Sequence, residues 1–155
     1  MAKYDKKYLD GEADPPETGS GPVDMPAKHL AVIGCGAVTE LCHLPAANLL
    51  QDVEVIALVD KDLVRAEQLG KKFGIRTCLE DFHQIPDGVD GVIIALPNYL
   101  HAPVTLEFIK RGIPVLVEKP IALNVDEAQA MIEASDNSQV PLQVGLMRRY
   151  CQGAR

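Results

Sequence analysis

The chain has no basic surplus: 15 Lys and Arg face 22 Asp and Glu, for a formal net charge of -7 and a pI near 5.0. A protein that tracks a nucleic-acid backbone needs the opposite field, so nucleic acid is not an expected partner. No apolar run approaches the ~18 residues that a membrane span requires, and the amino terminus carries neither an apolar h-region nor an Arg-Arg pair. No membrane association is expected, and the default compartment is the cytoplasm. Cysteine is sparse and unpatterned: Cys35, Cys42, Cys78 and Cys151 show no C-x-x-C spacing, and three of them lie in or beside apolar runs. They read as reduced core thiols, not as zinc ligands or disulfides, and no metal site is expected. Internal repeats are absent beyond the β-α alternation described next.

What is present is 155 residues with 47% apolar content, enough for one domain with its own core. Residues 1–27 stand apart. They are rich in Asp, Glu, Lys, Gly and Pro, and offer little but Tyr4, Tyr8 and Leu9 to bury, so they are expected to form a disordered tail. From residue 28 to 150, short apolar runs alternate with amphipathic helical patterns. Strands are predicted at 29–33, 53–59, 75–78, 91–96, 113–118 and 139–147. Helices are predicted from near Ala37 to Leu49, from an Asp62 cap to Phe73, from near Ala102 to Gly112, and from an Asn124 and Glu127 capping pair onward. A short turn or helix is expected around Asp81 to Ile85. Continuous apolar strands separated by helices imply right-handed crossovers and a doubly wound parallel sheet, an α/β Rossmann arrangement with strand order 3-2-1-4-5-6. Residues 151–155 are expected to be a truncated C-terminal end.

Three features carry chemistry. The Gly34-Cys35-Gly36-Ala37-Val38-Thr39 loop follows the first strand and opens a helix. Its first glycine allows the tight turn, and its second lets backbone approach a pyrophosphate at the positive end of that helix. Thr39 stands where a third small residue is usual; it either holds strand and helix slightly apart or donates its hydroxyl locally. Asp60 ends the second strand, where a carboxylate accepts from adenosine ribose hydroxyls and repels a 2′-phosphate. NAD is therefore favoured over NADP, with Lys61 and Arg65 nearby to soften the preference. The alternative role for Asp60 is to end the strand and cap a turn. Glu118-Lys119-Pro120 follows the fifth strand, so Lys119 points into the crevice where open α/β sheets hold ligands, in an extended geometry set by the proline. His43, between apolar helix positions, reads as a packing residue. His101 either begins a helix or faces the site. Arg148 and Arg149 either reach substrate or cofactor or are solvated.

Together these stretches resemble the glucose-fructose oxidoreductase and inositol dehydrogenase (Gfo/Idh/MocA) family. The matching motifs are Ala31-Val32-Ile33-Gly34-Cys35-Gly36 with His43-Leu44-Pro45-Ala46, Ala57-Leu58-Val59-Asp60, residues 90–98 with Leu100-His101, Val117-Glu118-Lys119-Pro120, and residues 144–150. The resemblance implies a dinucleotide-binding domain whose Gly34, Cys35, Gly36, Ala37 and Val38 backbone holds pyrophosphate and whose Asp60, with Lys61 and Arg65 beside it, meets the adenosine ribose. It places Ala95, Leu96, Pro97, Asn98 and His101 along the nicotinamide half, and Glu118 and Lys119 at hydride transfer, with Lys119 polarising or deprotonating a hydroxyl of a sugar, cyclitol or related polyol. Family members continue into a second α/β domain that covers the crevice, and these 155 residues do not contain it. The expectation is half an enzyme with weak NAD binding, no turnover alone, and self-association through the uncovered face around Leu96, Ile121 and Met147. Two other readings are compatible with the sequence: a non-catalytic module that binds NAD or NADH, and an inactive fragment.

Overall fold

A computed structural model describes residues 26–147. The expectations for the tail, including Tyr4, Tyr8 and Leu9, and for Arg148, Arg149 and residues 150–155 lie outside the described residues. Pro26–Leu146 forms one compact unit.

Six strands pair in parallel, in the order β3-β2-β1-β4-β5-β6, with β1 at Lys28–Ile33, β2 at Val53–Val59, β3 at Thr77–Leu79, β4 at Gly91–Ile94, β5 at Val115–Val117 and β6 at Leu142–Val144. Four helices cross between them: α1 (Leu44–Ala47), α2 (Leu63–Phe73), α3 (His101–Lys110) and α4 (Val125–Ser138). The strand order and the alternation are those expected. The strand ends differ. The fifth and sixth apolar runs extend beyond the residues that pair, because sequence periodicity registers burial whereas a ladder needs a neighbour in register. The third strand starts two residues later and ends one residue later than predicted.

Period-two alternation in the central strands sorts the core into two layers. Ala31, Ile33, Ala57, Val59, Val92 and Ile94 project to one face, where Phe108 of α3 and Met131 of α4 are fully buried. Val32, Leu58 and Ile93 project to the other, against Leu44 of α1 and Ala66 and Leu69 of α2. Each large side chain so buried contributes about 1.5–3 kcal/mol, so both layers are needed to hold the sheet.

Helix ends follow local chemistry. Asp62 accepts the Arg65 N–H at 3.2 Å to open α2, and Gly74, at φ +79°, closes it. Asn124 accepts the Glu127 N–H at 2.9 Å, while the Glu127 carboxylate takes the Asn124 side-chain amide at 3.1 Å and the Leu123 N–H at 3.1 Å. This is the expected capping pair, shifted by one residue on its return bond. Asp81 caps a 3₁₀ turn at Phe82–Gln84. A second 3₁₀ turn at Asn98–Leu100 leads into α3, which starts one residue before the predicted Ala102.

The helix after the glycine loop departs most from expectation. It begins near Ala37, as read, but residues Thr39–His43 form a π-helical turn before α1, with the Leu44 N–H donating to Thr39 O. Pro45 supplies the reason. A proline inside a helical path crowds the preceding turn, and widening that turn by one residue relieves the clash.

Candidate functional site

The carboxyl ends of β1, β2 and β4 enclose a cavity of about 460 Å³. Its floor is the glycine loop. Gly34 sits at φ +100°, donates its N–H to Val59 O at 2.7 Å, and is packed so closely on the chain after β4 that a Cβ there would stand 2.3 Å from Ala95 O. Gly36 is the opposite case: a Cβ on it meets no atom within 4 Å. The first glycine is therefore required by the protein's own packing, while the second faces open groove. That open space beside a helix start fits a pyrophosphate, which needs backbone N–H groups and no side chain in the way.

Thr39 resolves the alternatives left by the sequence. It is fully buried, and its hydroxyl donates to Gly34 O at 2.5 Å, tying the helix back to the turn it follows.

Asp60 takes the strand-ending, turn-capping role and also lines the cavity. Its Oδ2 accepts the Cys35 N–H at 2.8 Å and its Oδ1 accepts the Asp62 N–H at 2.9 Å, so it ends β2 by stapling the glycine loop to the next turn. Each carboxylate oxygen keeps a second lone pair, and Asp60 still lines the cavity. Lys61 and Arg65 line it beside Asp60, as do Ala95, Leu96 and Pro97 opposite. Cys35, Gly36, Ala37 and Arg65 line a neighbouring recess of about 480 Å³.

Cys35 is 2% exposed. Burial first, then the Asp60 charge, pushes its thiol from an ordinary 9.0 up to about 12. The folded chain keeps this proton where the unfolded chain loses it, so the associated stability is complete below pH 9 and disappears as pH rises from there toward 12. Urea unfolding midpoints should accordingly fall between about pH 8 and pH 10.5 by more in wild type than in Cys35→Ala. Equal falls would mean that the thiol ionises freely in the folded state.

Val38, Asn98, His101, Glu118 and Lys119 stand outside the lining of the cavity that Asp60 lines. His101 is 1% exposed, with Nδ1 2.7 Å from Pro120 O and Nε2 2.8 Å from Leu96 O. It begins α3, and its buried ring braces the chain after β4 against the chain after β5. Lys119 is exposed at the end of β5, and its bond to Pro120 is cis. Glu118 is 8% exposed. Its Oε1 lies 3.0 Å from His43 Nε2, and its Oε2 accepts the Lys119 N–H at 3.2 Å.

Two features escaped the sequence reading. His43 is more than packing, since it pairs with a carboxylate 75 positions away; the π-helical turn that ends at His43 sets its direction. Phe82, Tyr99 and Val104 also line the cavity, giving it an apolar side. The cap residue Asp81 was the available signal that a turn there presents Phe82. Among the described residues no helix is long and apolar enough to cross a membrane, and no cluster of His, Cys, Asp or Glu could hold a metal ion.

Comparison with known proteins agrees with this geometry. An inositol 2-dehydrogenase of Rubrobacter xylanophilus is 39% identical over 126 residues, covering 78% of this chain and 35% of that protein. A scyllo-inositol 2-dehydrogenase (NAD(+)) of Bacillus subtilis is 33% identical over 125 residues, covering 77% and 36%. Among solved structures, the 3-ketoreductase KijD10 of Actinomadura kijaniata in complex with NADP superimposes with a TM-score of 0.77 at 26% identity, over 82% of this chain and 41% of that one. An oxidoreductase of Agrobacterium radiobacter in complex with NAD+, L-tartaric acid and magnesium gives 0.72 at 27%, over 76% and 35%. The chain thus spans little more than a third of the length of these curated relatives. Residues 28–146 match the model of the oxidoreductase family with the NAD-binding Rossmann fold. A glycine turn locked by packing, a second glycine open to a groove and an acidic strand end lie within that match, and the chain belongs to this family.

Proposed function

We propose that this chain is the dinucleotide-binding part of an NAD-dependent oxidoreductase that moves a hydride between nicotinamide and a sugar, cyclitol or related polyol. The observation that carries the reading is the open space at Gly36 beside Asp60: a pyrophosphate path that leads to a ribose acceptor. Substrate class is supported by the inositol dehydrogenases among the relatives.

In this reading the amides of Gly36 and Ala37 bind pyrophosphate, and the free lone pairs of Asp60 accept from the adenosine ribose. When bound, the nicotinamide supplies the hydride acceptor or donor. Ala95, Leu96 and Pro97 shape the groove wall that guides it toward the end of β5. Lys119, exposed there, polarises the substrate hydroxyl and takes its proton at Nζ. Glu118 holds the Lys119 backbone through its N–H. His101 keeps the two loops at a fixed separation.

Asp60 repels a 2′-phosphate, whereas Lys61 and Arg65 line the same cavity and attract one. The carboxylate is at the strand end, so it is expected to prevail. Calorimetric titration should show NAD(H) binding about tenfold more tightly than NADP(H), and Asp60→Ala should bring the two within about threefold. The substitution also frees the Cys35 amide, so both affinities fall, and the ratio is the quantity that tests the assignment. Tighter NADP(H) binding by wild type would sink it.

A further inference from the structure

Glu118 is a nearly buried carboxylate directly after β5, and three separate pieces of chain hold it there. His43, at the end of the π-helical turn, lies 3.0 Å from Oε1; the Lys119 N–H donates to Oε2 at 3.2 Å; and Gly145, just past β6, leaves the slot open, since a Cβ on it would stand 3.2 Å from Oε1. The side chains of His43 and Glu118 are only 13% and 11% exposed. This is a charge fixed in position and poorly screened, next to the lysine assigned above to proton transfer.

We propose that Glu118, held by His43, sets the relative affinity of the site for oxidised and reduced nicotinamide, favouring the oxidised form. The inference rests on the proposed dinucleotide reading, with the ring beside Glu118 and Lys119. The two redox states share their adenosine, ribose and pyrophosphate contacts and differ in the positive charge on the ring. With the ring placed there, a fixed and nearly buried carboxylate would attract one state and not the other; at intermediate effective dielectric this amounts to about tenfold in relative affinity. The neighbouring charges leave that effect standing. Lys119 is exposed, so water screens its cation. Glu40, on the same helical path as His43, is spent on Lys72 at 2.6 Å, and Asp60 lies at the ribose end.

The test is calorimetric titration of the 155-residue chain with NAD+ and with NADH, read as the ratio of the NADH to the NAD+ dissociation constant. Glu118→Gln removes the charge and keeps an oxygen for the Lys119 N–H. It is expected to lower the ratio about tenfold, chiefly by weakening NAD+ binding, whereas a purely structural role would scale both affinities together. His43→Gln keeps a donor toward Oε1 and is expected to hold the ratio at or above the wild-type value. An unchanged ratio in Glu118→Gln, or a fall in His43→Gln to the Glu118→Gln value, would overturn the proposal. So would wild type preferring NADH by more than about tenfold, a measurement that needs no variant to fold. Wild type binding neither nucleotide removes the dinucleotide reading itself, and this inference with it.

Discussion

Gly34→Ala is expected to cost the fold at least about 3 kcal/mol, a large share of the roughly 5–15 kcal/mol that holds a domain of this size. Two independent effects add. The residue sits at φ +100°, which an alanine adopts only under strain, and the new Cβ would stand 2.3 Å from Ala95 O and 2.7 Å from its carbonyl carbon. Both contacts are backbone, so no side chain can swing away. Relief requires parting β1 from the chain after β4, where Ala95 N–H donates to Ile33 O at 2.8 Å. Urea denaturation of the purified variant checks this. An unfolding free energy within about 1 kcal/mol of wild type would mean that this turn is far softer than its packing implies.

Gly36→Val, two residues on, should do the reverse: leave unfolding within about 1 kcal/mol of wild type and weaken NADH binding at least a hundredfold. The protein has room for the side chain, since nothing lies within 4 Å of a Cβ there, and the backbone is not in the left-handed region. The ligand does not have that room, because the isopropyl group fills the space where amides must meet pyrophosphate. Fluorescence enhancement of NADH, read beside the unfolding curve, separates the two outcomes. Undiminished binding would place the phosphate cradle elsewhere.

The contrast between these glycines was only half legible in sequence. The spacing assigns the first to a turn and the second to ligand approach, but which atoms crowd the first depends on Ala95, brought alongside by the pairing of β1 with β4. Elements bounded by strong local signals were read closely: β2 ends where Asp60 follows, and α2 begins after Asp62 and stops before Gly74. β5 and β6 were overextended because Ile113 and Val140 are apolar neighbours of the strands whose N–H groups bond back to the preceding helices, to Phe108 O and Ser135 O, and not to a neighbouring strand. The direction of His101 and the partner of His43 were not readable. His101 is aimed by carbonyls 5 and 19 positions away, and His43 is turned by a helical irregularity that a 3.6-residue period does not register.

The sheet's two edges, β3 and β6, are three residues each, whereas β2, inside, has seven. A free edge is a template on which another chain can add a strand, and its adhesive power grows with the number of unpaired N–H and C=O groups in register. Three residues present too few for a lasting cross-chain ladder. Any partner of the described region, a second copy included, must therefore be gripped by side-chain surface. Such a joint is chosen by shape and charge, and substituting a few side chains at the contact would undo it without disturbing the sheet beneath.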